Sequence, residues 1–493
     1  SVQARELVQR DFAGNSGAAL TVVVHSPDLT ASDPAFRAAV ADAEALLRAD
    51  ERVASVAGPR PGASISRDGH TALVVAGAAG STTDMVRAAD DLKGPIADVG
   101  REGVTLSLTG SSGMWSDFNT ANKEAMLRSE IMSWPVTLGI LVLAFGALVA
   151  AGLPLLLTIL GLVATAGSLF LVAQAFDVSI WAMNFALMFA LALGIDYALF
   201  LVARFRAALL GGRMSPRDAA AVTMDTAGKA VLFSGLTVLI SLSAVMLVPS
   251  PAFRSMALGI MLAVVFVLAA TLTLLPVVLA RLGERVNRGA LPWVHRGGHR
   301  SPRFARWAER LWRRPAGAGA AALVLLLLLA APVLGLRTGM PSIAVVPPDD
   351  PSRVGYERVQ AAFGPGAPGT LQIVAPAADA ARARAVAAAD PGIASVAPVQ
   401  PGGGGLAMVQ ATPRDDPSDP AVGDAIDRLR ADLPSAALVG GPAAENHDLE
   451  QALASRTPLV IGLVMGLGFL LLLVALQAPL VAAIGVLTSL LST

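Results

Sequence analysis

Seven long apolar stretches constrain this chain more than any other feature of its sequence. They lie at about 131–151, 153–175, 180–203, 229–249, 255–280, 317–336 and 457–476, and an eighth begins near Pro479. A helix needs about 20 apolar residues to cross the hydrocarbon core of a bilayer. Stretches of this length and number are too many to be buried helices of a water-soluble domain, so the sequence predicts a polytopic α-helical membrane protein.

Composition agrees with a membrane location and excludes several classes of protein. Hydrophobic residues make up 54% of the chain, charged residues 15%, and the formal net charge is zero. This balance does not favour nucleic-acid binding, which depends on many basic contacts to phosphates. The chain has no Cys, and therefore no disulfide and no thiolate metal site. Only three of its 37 basic residues are Lys, which favours a bacterial source with a GC-rich genome.

The arginines predict which side of the membrane each polar segment occupies. The segment 281–314 contains ten Arg and the segment 204–217 contains four. Positively charged loops stay on the cytoplasmic side of a membrane, so both segments are expected there. The two large polar regions, 1–128 and 338–456, are then expected on the extracytoplasmic side of a bacterial inner membrane.

The end of the segment 281–314 allows two interpretations. Trp307 and Trp312 lie among its arginines, which indicates an amphipathic helix on the inner membrane surface. A solvated linker between two membrane helices fits the same residues.

A single carboxylate, Asp196, lies within the third apolar stretch. A charged side chain at mid-bilayer costs roughly 2.5–3.5 kcal/mol on insertion scales, so such residues are rare and usually functional. Because removal from water favours the neutral form of a carboxylate, we expect Asp196 to gain and lose a proton. The alternative is a structural Asp that is hydrogen-bonded inside a helix bundle.

The neighbours of Asp196 predict its surroundings. Tyr197 can donate or accept a hydrogen bond, which suits it to orient Asp196 or to pass a proton; simple ring packing is the alternative. Ser234 on the next span is a further candidate for this network, although a Ser in a membrane helix often bonds to its own i−4 carbonyl. A dry pocket around the carboxylate is expected to be walled by the apolar residues at helical spacing from it, Phe189, Leu193 and Phe200.

The two polar regions repeat one order of elements. Each alternates predicted strands and helices as β-α-β-β-α-β, the split βαβ arrangement of ferredoxin-like domains. The segments that begin at Val53 and Ile393 share the residues Ala-Ser-Val-Ala at an offset of 340. The sequence therefore predicts two related extracytoplasmic α+β domains.

The apolar stretches repeat as well. Pro154 and Pro479 occupy equivalent places in two similar segments, at an offset of 325. Internal duplication of this kind is common among transporters. At the same offset a counterpart of Asp196 falls near position 521, beyond Thr493, so we expect this chain to be a piece of a longer protein.

These features divide the chain into six predicted segments. Each boundary falls where an apolar stretch meets a polar one. The segments are an extracytoplasmic α+β domain (1–128), five spans of a first repeat (129–280), an arginine-rich cytoplasmic segment (281–316), a further span (317–337), a second extracytoplasmic α+β domain (338–456) and the first spans of a second repeat (457–493).

Two motifs give the chain a resemblance to a known family. One begins at Gly194 and has the sequence GIDYALFLVARFR; the other begins at Thr226 and has the sequence TAGKAVLFSGLTV. Together with the duplicated α+β domains, they resemble the MmpL (mycobacterial membrane protein large) transporters of the resistance-nodulation-division superfamily. The resemblance covers essentially the whole chain.

The resemblance implies a fold and a function. The fold has two bundles of six helices and paired porter domains outside the cytoplasm, and this chain lacks the first and last helices of that pattern. The function is export of lipids or hydrophobic compounds, driven by the proton gradient. By the same resemblance, Asp196 and Tyr197 form half of a proton relay whose other half is a second Asp-Tyr pair.

Other chemistries find little support in the sequence. His295 and His299 are four residues apart, but the two glycines between them disfavour a helical metal pair. The chain has no phosphate-binding loop followed by Lys and Ser or Thr, and no metalloprotease or hydrolase motif. We therefore expect neither an ATP motor nor an enzyme, and no cofactor or bound metal.

Two functions of different classes remain. The first is a proton-driven exporter whose partners are protons, membrane lipids and a cargo that is either an envelope lipid or a hydrophobic small molecule. The second is a membrane receptor, scaffold or assembly factor on the same duplicated fold, because a fold does not fix a function. The sequence leaves open whether copies of the chain associate with one another or with accessory envelope proteins.

Overall fold

A computed structural model describes the residues 1–12, 19–101, 103–176, 178–179, 181–211, 214–248, 250–291, 302–335 and 342–492. Its contacts divide the chain into two compact units. One comprises 1–127 with 338–451, and the other comprises 128–337 with 452–493. The first unit contains the two α+β domains, and the second contains most of the apolar helices.

The strands form two sheets in the first unit. In chain order they are β1 (Leu20–His25), β2 (Val53–Ala57), β3 (Thr71–Ala78), β4 (Thr105–Thr109), β5 (Leu371–Pro376), β6 (Ile393–Val396), β7 (Gln400–Pro401), β8 (Leu406–Pro413) and β9 (Leu438–Gly440).

The α-helices account for most of the remaining described residues. In chain order they are α1 (Val2–Asp11), α2 (Pro34–Ala49), α3 (Thr82–Asp98), α4 (Ser111–Phe145), α5 (Leu148–Ala173), α6 (Trp181–Gly211), α7 (Pro216–Thr223), α8 (Lys229–Val245), α9 (Pro251–Ala269), α10 (Leu275–Leu282), α11 (Pro302–Arg313), α12 (Pro315–Ala330), α13 (Pro351–Phe363), α14 (Ala380–Ala389), α15 (Pro420–Asp432), α16 (Pro442–Leu476) and α17 (Pro479–Ser492).

The first α+β domain is the one formed by β1–β4 with α2 and α3. Its antiparallel strand order is β2-β3-β1-β4, which is the order of the predicted split βαβ unit. Alternate strand residues face the two helices, so Leu20 packs in one fully buried core with Phe36 of α2 and Met85 of α3. Ser81 and Asp84 form a reciprocal capping box that begins α3.

The second α+β domain repeats this order with β5, β6, β8 and β9 and with α14 and α15. Its strand order is β6-β8-β5-β9, and the short β7 adds to β8. Leu371 and Ile373 of β5 are buried with Ile426 of α15 in the equivalent core. The α14 and α15 helices therefore occupy the face that α2 and α3 occupy in the first domain.

The other face of each sheet is covered by a helix from the opposite half of the chain. Helix α1 packs on β5 and β9, where Val8 forms a small core with Val374 and Met408. Helix α13 packs on β1 and β4, where Thr109 Oγ1 donates a 2.8 Å hydrogen bond to the Ser352 carbonyl. Neither helix is predicted from the sequence. We call this arrangement the helix exchange: α1, which precedes the first domain in the chain, covers the sheet of the second domain, and α13, which precedes the second domain, covers the sheet of the first.

The apolar helices agree with the predicted spans. Among the described residues, seven helices are long and apolar enough to cross a membrane, and α17 is a shorter apolar helix. A π-helical turn at 224–228 joins α7 to α8, and a second one at 270–274 joins α9 to α10. Each pair therefore forms one continuous helix. The chain is therefore a multi-pass helical membrane protein that also contains two small sheets.

The first predicted span, 131–151, is wrong in its bounds. The helix that contains it, α4, begins at Ser111 within the polar region and ends at Phe145. Gly146 then adopts a φ of 66°, a left-handed conformation that ends a helix and that glycine adopts without strain. Because all flanking residues are apolar, the hydropathy pattern runs on through this turn and hides it.

Small residues let three helices approach closely in the second unit. A Cβ built on Gly161 of α5 would lie 2.8 Å from Val267 Cγ2 of α9, and one on Gly259 of α9 would lie 2.6 Å from the Ala182 carbonyl oxygen of α6. Glycine at these points allows backbone contact between membrane helices. Helices α5, α6 and α9 thus form the centre of the bundle that positions Asp196.

Candidate functional site

One face of α6 is made of small residues and is fully enclosed. Ala182, Ala186, Ala190 and Ala198 recur every four residues and have no exposed surface. Gly194 completes the series, and a Cβ there would collide with Thr158 Oγ1 of α5. Thr158 is itself held by a 2.9 Å hydrogen bond that its hydroxyl donates to the Pro154 carbonyl. This face binds α6 to its neighbours and leaves its opposite face outward.

Asp196 lies on that opposite face. It is two residues beyond Gly194, which is about 200° around a helix with 3.6 residues per turn. Its side chain is exposed, Phe189 and Phe200 are 37% and 50% exposed, and Leu193 is partly buried. The described residues place this stripe on the surface of the bundle and do not close a pocket over it, so the enclosing dry pocket stays a prediction.

Tyr197 turns inward beside the carboxylate. It is 7% exposed and belongs to the bundle core. Its hydroxyl lies 3.5 Å from Ser234 Oγ on α8, at the outer limit of a hydrogen bond, and either group can donate. The structure therefore brings two predicted site residues, Tyr197 and Ser234, together across two spans. Asp196 is adjacent to this pair along the chain.

Two arginines fix the end of α6 that follows Asp196. Arg206 Nε donates a 2.8 Å hydrogen bond to Asn287 Oδ1, and its guanidinium also contacts the Phe145 carbonyl and ring. Arg204 Nε donates to Thr226 Oγ1 at 3.1 Å, on the π-helical turn that precedes α8. The sequence assigned these arginines only a topological role, because no local pattern relates Phe145, Thr226 or Asn287 to α6.

Thr271 is a buried polar residue that sequence reasoning missed. It lies in the π-helical turn 270–274 with no exposed surface, and its Oγ1 has no hydrogen-bond partner among the described residues. Val267 and Gly161 set the register between α9 and α5, which places Thr271 near the level of Thr158 and Gly194. The signal in the sequence was a Thr between Ala270 and Leu272, within a largely apolar stretch.

Metal binding has no geometric support in the part of the chain that the structure describes. No group of three His, Cys, Asp or Glu side chains there can hold a metal ion. The His295 and His299 pair lies outside the described residues.

Comparisons with known proteins place these features in a family context. The profile of the MMPL family matches residues 1–318 and 350–493. The chain is 32% identical over 411 residues to the "Mycolic acid-containing lipids exporter MmpL11" of Mycolicibacterium smegmatis, which covers 79% of this chain and 43% of that protein. It is 33% identical over 409 residues to the "Heme uptake protein MmpL11" of Mycobacterium tuberculosis, covering 79% and 42%.

A further relative comes from outside the mycobacteria. The "Membrane protein YdfJ" of Bacillus subtilis is 29% identical over 517 residues, and the match covers 100% of this chain and 69% of the relative. Against the two MmpL11 proteins, in contrast, the chain spans less than half of the relative's length.

Proposed function

Because the chain belongs to the MMPL family, we propose that it is part of a secondary transporter that exports a lipid or hydrophobic small molecule across the bacterial inner membrane. The observation that carries this proposal is the position of Asp196. It is the sole acidic residue of α6, within an apolar span of 29 residues, and the neighbouring Tyr197 reaches a hydroxyl on a second span.

Proton binding at Asp196 can change the free energy of a membrane conformation. An ionised carboxylate in hydrocarbon is costly, and protonation removes that cost. A proton that crosses a membrane potential contributes about 2.3 kcal/mol for each 100 mV. Protons that bind and leave Asp196 while moving down their gradient therefore supply a free energy that can drive a conformational cycle.

Tyr197 and Ser234 supply the response to that change. The two hydroxyls link α6 to α8 at a separation, 3.5 Å, that a small movement shortens into a hydrogen bond or breaks. Gly194 holds α6 against Thr158 of α5, so the side of α6 opposite the carboxylate is fixed. Protonation of Asp196 is proposed to shift the α6–α8 contact while the α5–α6 contact persists.

The cargo is proposed from the names of the relatives and from composition. One relative is named for export of mycolic acid-containing lipids and another for haem uptake, and both cargoes have large apolar parts. The α+β domains are proposed to lie outside the cytoplasm as porter domains that form the cargo path. A lipid is the first cargo to test.

The test uses the full-length protein that contains this chain, reconstituted in vesicles with an imposed pH gradient. Asp196→Asn keeps the size and polarity of the side chain but cannot titrate. We expect it to abolish the gradient-driven movement of a labelled mycolic acid-containing lipid, followed by the fluorescence of the label. We also expect it to abolish the coupled movement of protons across the vesicle membrane, followed by a pH-sensitive dye. Glu124→Gln, an exposed carboxylate in the polar part of α4, is the matched control and should transport normally.

Variants that lack the Tyr197 or Ser234 hydroxyl are expected to reduce transport only in part. Tyr197→Phe and Ser234→Ala each remove one hydrogen-bonding group worth about 1 kcal/mol, so transport should fall by up to about tenfold without being lost. Unchanged transport by a folded Asp196→Asn protein would contradict proton coupling at this site. Lipid binding without gradient-driven movement in the parent protein would instead favour a receptor or scaffold.

A further inference from the structure

Helix α11 separates its residues into two faces. Phe304, Trp307 and Leu311 lie at spacings of three and four residues and share one face, with the rings of Phe304 and Trp307 packed edge to face at 6.4 Å. The opposite face contains Arg306, Arg310 and Arg313. Helix α11 is therefore amphipathic.

The apolar face is not covered by other described parts of the chain. Phe304 is 71% exposed, Trp307 is 58% exposed, and Trp312 at the edge of the face is 85% exposed. Aromatic residues of this size contribute large free energies of transfer out of water. Exposure of these aromatic side chains to water is unfavourable, so the apolar face is expected to be covered by a binding partner.

The position of the helix in the chain indicates that partner. Helix α12 begins at Pro315, two residues after α11 ends, and is apolar enough to cross a membrane. Helix α11 is therefore tethered within one or two residues of a bilayer surface. It lies at the end of the arginine-rich segment 281–314, which contains ten Arg and two Glu.

The charges specify the kind of surface. Ten Arg against two Glu give the segment 281–314 a strongly positive net charge. One of the two Glu residues, Glu309, is paired within the helix to Arg313 at 2.7 Å. Basic residues near a membrane gain about 1 kcal/mol each from anionic lipids. Guanidinium groups also bind phosphate oxygens well because their donors form a planar fork.

We propose that α11 is a binding surface for anionic phospholipids, lying in the plane of the interface with Phe304, Trp307 and Leu311 among the acyl chains and the arginines on the headgroup phosphates. This role is independent of proton coupling. It makes the entry point of α12 into the membrane depend on the lipid composition of one leaflet.

This chain contains no Cys, and any Cys elsewhere in the full-length protein is first replaced by Ser. The full-length protein is labelled with a nitroxide at one introduced Cys at a time. The substitutions are Phe304→Cys, Trp307→Cys or Leu311→Cys on the apolar face and Arg306→Cys or Arg310→Cys on the opposite face. The protein is reconstituted in phosphatidylcholine alone or mixed with phosphatidylglycerol. In the mixture, labels at 304, 307 and 311 should be reached by oxygen but not by a water-soluble nickel complex, and labels at 306 and 310 should show the reverse.

Charge removal measures the lipid preference. Arg306→Gln and Arg310→Gln should each lower the ratio of immersed to free helix about fivefold in the anionic vesicles, which corresponds to about 1 kcal/mol. Arg382→Gln, an exposed arginine of the second α+β domain, removes the same charge elsewhere and should change nothing.

Three results would overturn the proposal. Labels on both faces equally open to the nickel complex would show a solvated linker. Apolar-face labels hidden from both reagents would show a protein partner. Equal immersion with and without phosphatidylglycerol would show that the arginines do not recognise anionic lipid.

Discussion

The two α+β domains use one architecture with opposite details at the helix exchange. In the first domain the sheet supplies the larger residue, Thr109, and α13 supplies Gly355, where a Cβ would lie 2.8 Å from Thr109 Cβ. In the second domain the sheet supplies Gly440 and α1 supplies Ala4, and a Cβ on Gly440 would lie 2.7 Å from Ala4 Cβ. The closeness of the contact is kept, while the side that supplies glycine is reversed.

The ion pairs at the end of the first helix of each domain show the same freedom. Asp50 and Asp390 both follow that helix, and each accepts two hydrogen bonds from one guanidinium. The arginine is Arg52, two residues along the chain, in one domain and Arg428, on the facing helix α15, in the other. The fold thus fixes the position of the carboxylate, while the arginine that binds it can come from any nearby element.

The largest expected effect comes from enlarging Gly440. Gly440→Val places a branched side chain against the fully buried Ala4, and we expect a loss of about 3 kcal/mol, the upper end for overpacking. Helix α1 should become sensitive to protease in the folded protein. Adding Ala4→Gly should restore part of the stability; the absence of any rescue would mean that the two residues do not meet.

The second largest loss of stability is expected from removal of the Asp390 carboxylate in the second domain. Asp390 has 6% of its side chain exposed, and Asp390→Ala leaves both Arg428 and the Gly392 amide without their acceptor. We expect a loss of about 2 kcal/mol, typical of hydrogen bonds to charged groups, measured as a lower midpoint of thermal unfolding. Asp50→Ala should lower the stability by a similar amount if the two sites are equivalent. A negligible effect at either site would show that they are not equivalent.

Acidification should weaken both domains together. The hydrogen bonds from Arg52 and Arg428 lower the pKa values of Asp50 and Asp390, outweighing the opposing effect of burial. Such a group contributes stability above its unfolded pKa of about 3.9 and loses it as the pH falls through its lower folded pKa. The free energy of unfolding should therefore decline below about pH 4. The decline should be shallower in Asp50→Asn and Asp390→Asn, and unaltered in a variant of the exposed Asp28.

The smallest effect is expected for Thr109→Val. The change keeps the shape of the side chain but removes the hydrogen bond to the Ser352 carbonyl, so a loss of about 1 kcal/mol is expected. Thermal unfolding and protease sensitivity of α13 would measure it. A loss as large as that of Gly440→Val would show that packing at the two ends of the helix exchange is not comparable.

Local patterns predicted the elements of both domains but not the helix exchange. The apolar segments of β1 and β5 and the shared Ala-Ser-Val-Ala segment indicated the order of elements along the chain, whereas the order of the strands within each sheet comes from the structure. Helices α1 and α13 are short and weakly patterned, and each contacts residues hundreds of positions away, such as Asp117, which accepts a 2.8 Å hydrogen bond from the Ser352 amide. No periodicity within either helix encodes that partner.

The candidate site was predicted to a similar extent. Apolar length located α6, and the contrast of one carboxylate with its surroundings singled out Asp196. The hydroxyls of Tyr197 and Ser234 lie 3.5 Å apart, and their part in a proton relay stays a prediction. Which way the carboxylate stripe faces could not be predicted, because both faces of α6 are apolar and only the four-residue series of Ala and Gly distinguishes the packed one.

The helix exchange has a consequence for the order in which the protein is made. The sheet of the first domain is complete once Thr109 has left the ribosome, yet the helix that covers its second face ends only at Phe363. Helix α1 is synthesised long before β5 and β9, the strands on which it packs. The first sheet and helix α1 therefore lack the partners that cover them throughout synthesis of the intervening membrane helices, an interval in which uncovered apolar surface favours aggregation.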